Sequence, residues 1–167
     1  IAGIAMEHLR GLIIAVNKTD LWEDPEERRA WAESQMRGRV TFAPWAMVTF
    51  ISALTGQGTR DLLKLALVAR DARRRRLTTA ELNSALNKAI RDHVPPLVQN
   101  KRFKLLYATQ AGIDPPTFIL FVNDPKLVHF SYRRYLENQL RAAFDFEGTG
   151  VKIVFRRRSE DRHEASA

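Results

Sequence analysis

Leu12-Ile13-Ile14-Ala15-Val16-Asn17-Lys18-Thr19-Asp20 carries an apolar run straight into an Asn-Lys-x-Asp motif. Further on, Met47-Val48-Thr49-Phe50-Ile51 runs in the same way into Ser52-Ala53-Leu54. Each motif stands at the carboxyl end of a short buried strand, where alternating strand and helix folds place their ligand-binding loops. A guanine offers paired N–H donors at N1 and N2, which one carboxylate accepts together and which adenine does not have. Asp20 is therefore the expected guanine selector, through two charge-assisted hydrogen bonds of about 1.5–3 kcal/mol each. Asn17 is expected to tie the loop to its neighbours and face N7, and Lys18 to lay its aliphatic stem along the base. The Ala53 N–H is expected to donate to the guanine carbonyl, with Ser52 shaping the turn and Leu54 completing the motif. Either motif alone also reads as a strand-end turn whose Asn and Asp satisfy local backbone groups. Both together, each after a buried strand, read as the guanine-recognition half of a GTPase.

The remaining machinery of such an enzyme is not in this sequence. No Gly-x-x-x-x-Gly-Lys-Ser/Thr phosphate loop occurs in the 167 residues, so the chain can name a base without holding its phosphates. Hydrolysis needs phosphate-cradling amides, a lysine, magnesium and an oriented water, and no residue is assigned to catalysis or to a metal.

Around the motifs the pattern is strand, helix, strand, helix, hence part of a parallel sheet. Ile1 to Leu9 reads as the end of an amphipathic helix, so the chain is expected to start in mid-domain. Pro25, with Glu26 and Glu27 beside it, opens a helix running to about Arg37-Gly38. After the Gly56-Gln57-Gly58 turn, Leu62, Leu63, Leu65, Ala66 and Val68 mark another helix that runs into Arg73-Arg74-Arg75-Arg76. Like charges repel, so this run is expected to be an exposed linker over residues 71–77.

A second unit then begins. Thr78 and Glu81 form a capping box, and Leu82, Leu86, Ala89 and Ile90 line one face of a helix that Pro95-Pro96 ends. Phe103, Leu105 and Tyr107 are expected to share one strand face, and Phe118, Leu120 and Val122 another. Asp124-Pro125 starts a helix with a stripe of Tyr132, Leu136, Leu140 and Phe144, and Val151, Ile153 and Phe155 form a last strand. The expected unit is helix, strand, strand, helix, strand over residues 78–158, with a polar tail over 159–167.

The net charge of +8 is divided unevenly. Residues 1–68 hold eight Lys/Arg and eight Asp/Glu, and the rest hold nineteen against eleven. The excess points to a polyanionic partner for the second unit, most plausibly nucleic acid. Zero cysteines exclude disulfides and thiolate metal sites and fit a reducing compartment. No apolar run reaches the roughly 20 residues that cross a bilayer, and no signal peptide is evident, so a cytoplasmic location without membrane association is expected. The four histidines are scattered. His93 is expected to cap a helix and His129 to pack.

Five stretches carry a resemblance: Ser52 to Gly58, Tyr107-Ala108-Thr109-Gln110, Pro115-Pro116-Thr117-Phe118, Phe121-Val122-Asn123-Asp124-Pro125, and His129 to Arg141. Across nearly all of residues 1–158 the chain resembles the C-terminal portion of the Der (EngA) family of bacterial tandem GTPases. The resemblance implies a fold of class α/β: a partial P-loop-type GTPase domain over residues 1–70, then an α+β KH-like domain. It implies GTP or GDP as the bound cofactor, with magnesium and its ligands outside this chain. It implies upstream GTPase domains, GTP hydrolysis by the intact protein, inactivity of this part alone, and a role with ribosomal RNA in large-subunit assembly. Thr19 departs from the family's usual Trp.

A KH fold normally clamps nucleotide backbone with a Gly-x-x-Gly turn. Here that turn falls near His129-Phe130-Ser131-Tyr132, without glycine. The expected RNA contacts are therefore basic clusters: Arg73, Arg74, Arg75 and Arg76; Lys101, Arg102 and Lys104; Arg133, Arg134 and Arg141; and Arg156, Arg157 and Arg158. The other reading is a non-catalytic RNA-binding or interdomain interaction module with a vestigial half GTPase domain.

Overall fold

The computed structural model describes residues 2–41 and 43–158, apart from the side chain of Met6. The expected tail over 159–167 lies outside the described residues. The chain divides into two units, one of residues 1–75 with 146–150, the other of residues 76–145 with 151–167.

The first unit runs α1 (Ala2–Glu7), β1 (Ile13–Val16), a 3-10 turn (Thr19–Leu21), α2 (Pro25–Arg39), β2 (Met47–Phe50) and α3 (Thr59–Arg74). β1 and β2 pair in parallel, with Ile13 opposite Met47 and Val16 opposite Phe50, so both motifs leave the same end of the sheet. Asp24 caps α2 by accepting from Glu26 and Glu27, with Pro25 at the first helical position. At the other end of the strands, Gly148 donates to the Trp45 carbonyl and accepts from Leu12 N–H. Gly148 has φ +66°, a conformation that a side chain would strain, and a Cβ there would also push the Met47 side chain aside.

Two expectations about this unit change. The linker expected over 71–77 is helical through Arg74, the last residue of α3. Within it Arg73 is buried and donates to the Leu9 carbonyl and to Thr149 Oγ1. An arginine that satisfies buried oxygens can leave water when its hydrogen bonds replace hydration. Of the apolar residues that mark α3, Leu62 and Leu65 are half-buried on its inner face, and Leu63, Ala66 and Val68 are not. That face uses the small Ala69 and Ala72, while Leu63 and Val68 are exposed.

The second unit runs α4 (Thr79–Asp92), β3 (Leu97–Val98), β4 (Lys101–Arg102), β5 (Leu105–Gly112), β6 (Thr117–Val122), a 3-10 turn (Pro125–Leu127), α5 (Phe130–Phe144) and β7 (Lys152–Arg157). The capping box is present, with Glu81 N–H donating to Thr78 Oγ1 and Thr78 N–H to Glu81. Strands β5, β6 and β7 form one sheet in that order, β5 antiparallel and β7 parallel to β6. Its inner face and the two helices make the core of Leu82, Leu86, Phe118, Leu120, Val122, Leu136 and Leu140, each at most 1% exposed.

α5 also closes the end of α4. Tyr132 Oη donates to the His93 carbonyl at 2.7 Å, an acceptor that the helix end leaves open, and Tyr135 Oη donates at 2.8 Å to the Ala89 carbonyl, which also accepts from His93 N–H. Asn83 on α4 does the same for β5, bonding both N–H and C=O of Ala108 at 2.8 Å. It stands where a further strand would pair, which blunts that sheet edge.

Three local expectations are corrected. Phe103, Leu105 and Tyr107 do not share a face, because a register shift between Leu105 and Tyr107 inserts a residue and turns Tyr107 outward. The helix expected from Asp124-Pro125 is broken: Asp124 caps only the 3-10 turn, and His129 caps α5 separately. The hairpin of β3 and β4 was not expected; its turn residues Gln99 and Asn100 both have positive φ, as such two-residue turns require.

Candidate guanine-recognition site

The sequence Val16-Asn17 leaves β1 while Ile51-Ser52 leaves β2 one strand over, and two hydrogen bonds lock these exits together. Thr19 N–H donates to the Ile51 carbonyl at 3.2 Å, and Ala53 N–H to Asn17 Oδ1 at 3.0 Å. Asn17 Oδ1 also accepts from Lys18 N–H at 2.8 Å. That second bond supports a costly conformation, since Lys18 sits at φ 68° and ψ 38° in the left-handed region. Lys18 thereby begins the 3-10 turn that carries Asp20, whose side chain is exposed. Thr19 is buried beneath the loop. Trp22 meets the Phe50 ring edge-on at 5.7 Å.

The second loop is held from within. Ser52 is fully buried, its N–H donates to the Gln57 carbonyl, and its Oγ accepts from Thr55 N–H at 3.2 Å. Gly58 begins α3 at φ +74°, and a Cβ there would lie 2.2 Å from the Phe50 carbonyl oxygen. The Gly56-Gln57-Gly58 turn thus has a steric requirement for its last glycine. Leu54 projects outward at 86% exposure.

The site residues named from sequence therefore converge, with one change of role. The Ala53 N–H expected at the guanine carbonyl donates to Asn17 Oδ1 in this structure. Asn17 acts as a brace across both loops. The loop pair therefore presents an exposed carboxylate, an exposed lysine and an exposed carboxamide at the carboxyl end of the two strands.

The basic candidates separate into several groups. Arg73 is committed inside the first unit, as described. Arg141 is largely buried against Glu137 at 3.1 Å; burial lowers its pKa while the Glu137 carboxylate opposes that shift. Arg133 donates to the Ile153 carbonyl and lies over the Phe155 ring at 5.4 Å. Arg74, Arg75, Arg76 and Arg134 are exposed. The 101–104 and 156–158 clusters, distant in sequence, meet at Asn123, which escaped the sequence reading. Its Nδ2 donates to the Arg102 carbonyl, its Oδ1 accepts from Lys104 N–H, and its carbonyl accepts from Arg157 Nε. Its place in the Phe121-Val122-Asn123-Asp124-Pro125 stretch was the available signal.

His93 is the C-terminal residue closing α4, with its ring 6.0 Å from Tyr132 in a stacked arrangement. His129 caps α5 and contacts Ser131 Oγ at 2.7 Å. Among the described residues no cluster of His, Asp or Glu is arranged to hold a metal, and no helix is long and apolar enough to cross a membrane.

A parallel-sheet unit with both motif loops at one end of its strands, followed by an α+β unit of KH-like fold, defines the class of protein. Residues 76–156 match the KH-domain-like C-terminal domain of EngA bacterial GTPase enzymes. The chain is 45% identical over 160 residues to the GTPase Der of Thermomicrobium roseum, and 44% identical to those of Clostridium novyi and Clostridium perfringens. These alignments cover 95–96% of the chain but only 35–36% of each relative, so the chain spans about a third of their length. The chain belongs to the Der (EngA) family and corresponds to its C-terminal portion.

Proposed function

We propose that this chain is the base-selecting and RNA-facing part of a GTP-hydrolysing protein that assists assembly of the large ribosomal subunit. The observation that carries the first half is the Asn17 brace, which joins the Asn-Lys-x-Asp loop to the Ser-Ala-Leu loop. Asp20 accepts the two guanine donors, Lys18 covers the ring, and Asn17 Nδ2 faces N7. Phosphate and magnesium binding are assigned to the rest of the protein, since the relatives extend well beyond this chain. The basic end around Asn123, with Arg102, Lys104 and Arg157, supplies the ribosomal RNA contact.

The chain alone is expected to bind GDP weakly or not at all, because the phosphates contribute affinity that these loops do not supply. Submicromolar GDP binding by calorimetry on this chain contradicts that division of labour. In the protein extended by the residues its relatives possess, Asn17→Ala is expected to weaken GDP about tenfold or more by releasing both loops. Unchanged GDP affinity in that variant contradicts the site.

A further inference from the structure

The outer face of the β5–β6–β7 sheet is lined by residues that a solvent-facing sheet does not need. The register places Tyr107 opposite Phe121 and Phe121 opposite Arg156, giving one row across all three strands. The next row is Thr109, Ile119 and Val154, and Lys152 stands opposite Thr117. The Tyr107 and Phe121 rings are stacked, with centroids 4.3 Å apart and planes 16° from parallel. Tyr107 lies on the edge strand and keeps 37% exposure, and its bulge neighbour Leu106 keeps 48%. The three strands contain three charged residues, Lys152, Arg156 and Arg157, all basic. The same end of the sheet holds Arg102 and Lys104, gathered by Asn123.

We propose that this face is a stacking platform for single-stranded RNA. An unpaired base continues the pile on the Tyr107 ring, Arg156 holds a phosphate at the end of that row, and Lys152 holds one further along β7. Aromatic stacking with a basic surround is how single strands are bound without a Gly-x-x-Gly clamp, and every base has a ring face to offer. A duplex keeps its bases stacked inside and cannot use such a surface. An acidic or apolar protein segment is the competing occupant, but an acidic one uses the cations alone and an apolar one the rings alone, whereas a single strand offers bases to the rings and phosphates to the cations together. The bulge at Leu105 to Tyr107 is then the device that turns an aromatic from the core to the ligand. This proposal rests on the RNA-facing reading above.

The test is fluorescence anisotropy with a labelled oligouridylate of about eight nucleotides, on the full chain and on variants with unchanged circular dichroism. Tyr107→Phe is expected to bind as the parent does, whereas Tyr107→Leu loses about tenfold with no change in salt slope. Arg156→Glu is expected to weaken binding and flatten the salt slope. If Tyr107→Leu binds like the parent while Arg156→Glu and Lys104→Glu weaken it, RNA is held by charge alone and the platform is wrong, though the RNA-facing reading stands. If the parent binds no oligonucleotide at any salt, both fall. If duplex RNA competes as well as the single strand, or if extending the chain upstream abolishes binding by covering Tyr107, the platform is also overturned, in the last case in favour of a protein partner.

Discussion

Asn17 shows how much one exposed side chain can organise. Its oxygen holds two backbone donors on different loops, so its role is mechanical before it is chemical. The motif made the residue visible, but its grip on Ala53 was not, because a sequence does not say which of several acceptors a backbone N–H will meet. Gly58 was legible only as part of a turn. Its reason is the Phe50 carbonyl, 2.2 Å from where a Cβ would sit, and its positive φ. Gly58→Ala is therefore expected to destabilise the first unit by about 2 kcal/mol or more, checked by denaturant midpoint, with a shift below about 0.5 kcal/mol contradicting the clash. Arg73 marks the opposite case. A run of arginines reads as solvated, and only the fold could show that one of them reaches Leu9 and Thr149.

The elements of the second unit were the most legible, since α4, β6 and α5 carry clean apolar periodicity and the capping box is a local code. What failed to show were the joints: the bulge in β5, the hairpin at Gln99-Asn100, and the break before His129. Each depends on a backbone conformation that many residues tolerate. The side chains that join elements make testable claims. Asn83→Ala leaves both polar groups of fully buried Ala108 without their partner, an expected loss of about 2–3 kcal/mol by chemical denaturation. Tyr132 offers a pH test. Burial, reinforced by Tyr135, pushes its hydroxyl from 10.0 up to about 12, so the folded state keeps a proton that the unfolded state gives up. Stability from this group is intact below pH 10 and is lost as pH rises toward about 12. Tyr132→Phe is expected to be less stable at neutral pH, having lost the bond to His93, yet to lose less on alkaline titration; an identical alkaline slope contradicts the assignment.

At the scale of the molecule, the charge division seen in the sequence falls a few residues short of the structural one: the first unit takes in Arg70, Arg73, Arg74 and Arg75 and so holds twelve Lys/Arg against ten Asp/Glu, while the second holds fifteen against nine. The nearly neutral unit carries the two motif loops, and the basic one carries a surface where two distant clusters meet at Asn123. Segment 146–150 belongs to the first unit although its neighbours in sequence belong to the second. No local pattern announces such a return; it depends on Gly148 fitting between Leu12 and Trp45. If the basic end contacts RNA phosphates, affinity for ribosomal RNA should fall about tenfold or more between about 50 mM and about 200 mM salt, and a flat response contradicts phosphate contact. The account turns most on Asp20. In the proposed site its carboxylate accepts two guanine donors, and an amide there would instead match the added carbonyl of xanthine. Titration of GDP and xanthosine diphosphate into the extended protein and its Asp20→Asn variant is the direct measurement. The account predicts that the variant loses GDP and gains xanthosine diphosphate; retained guanine preference would contradict it.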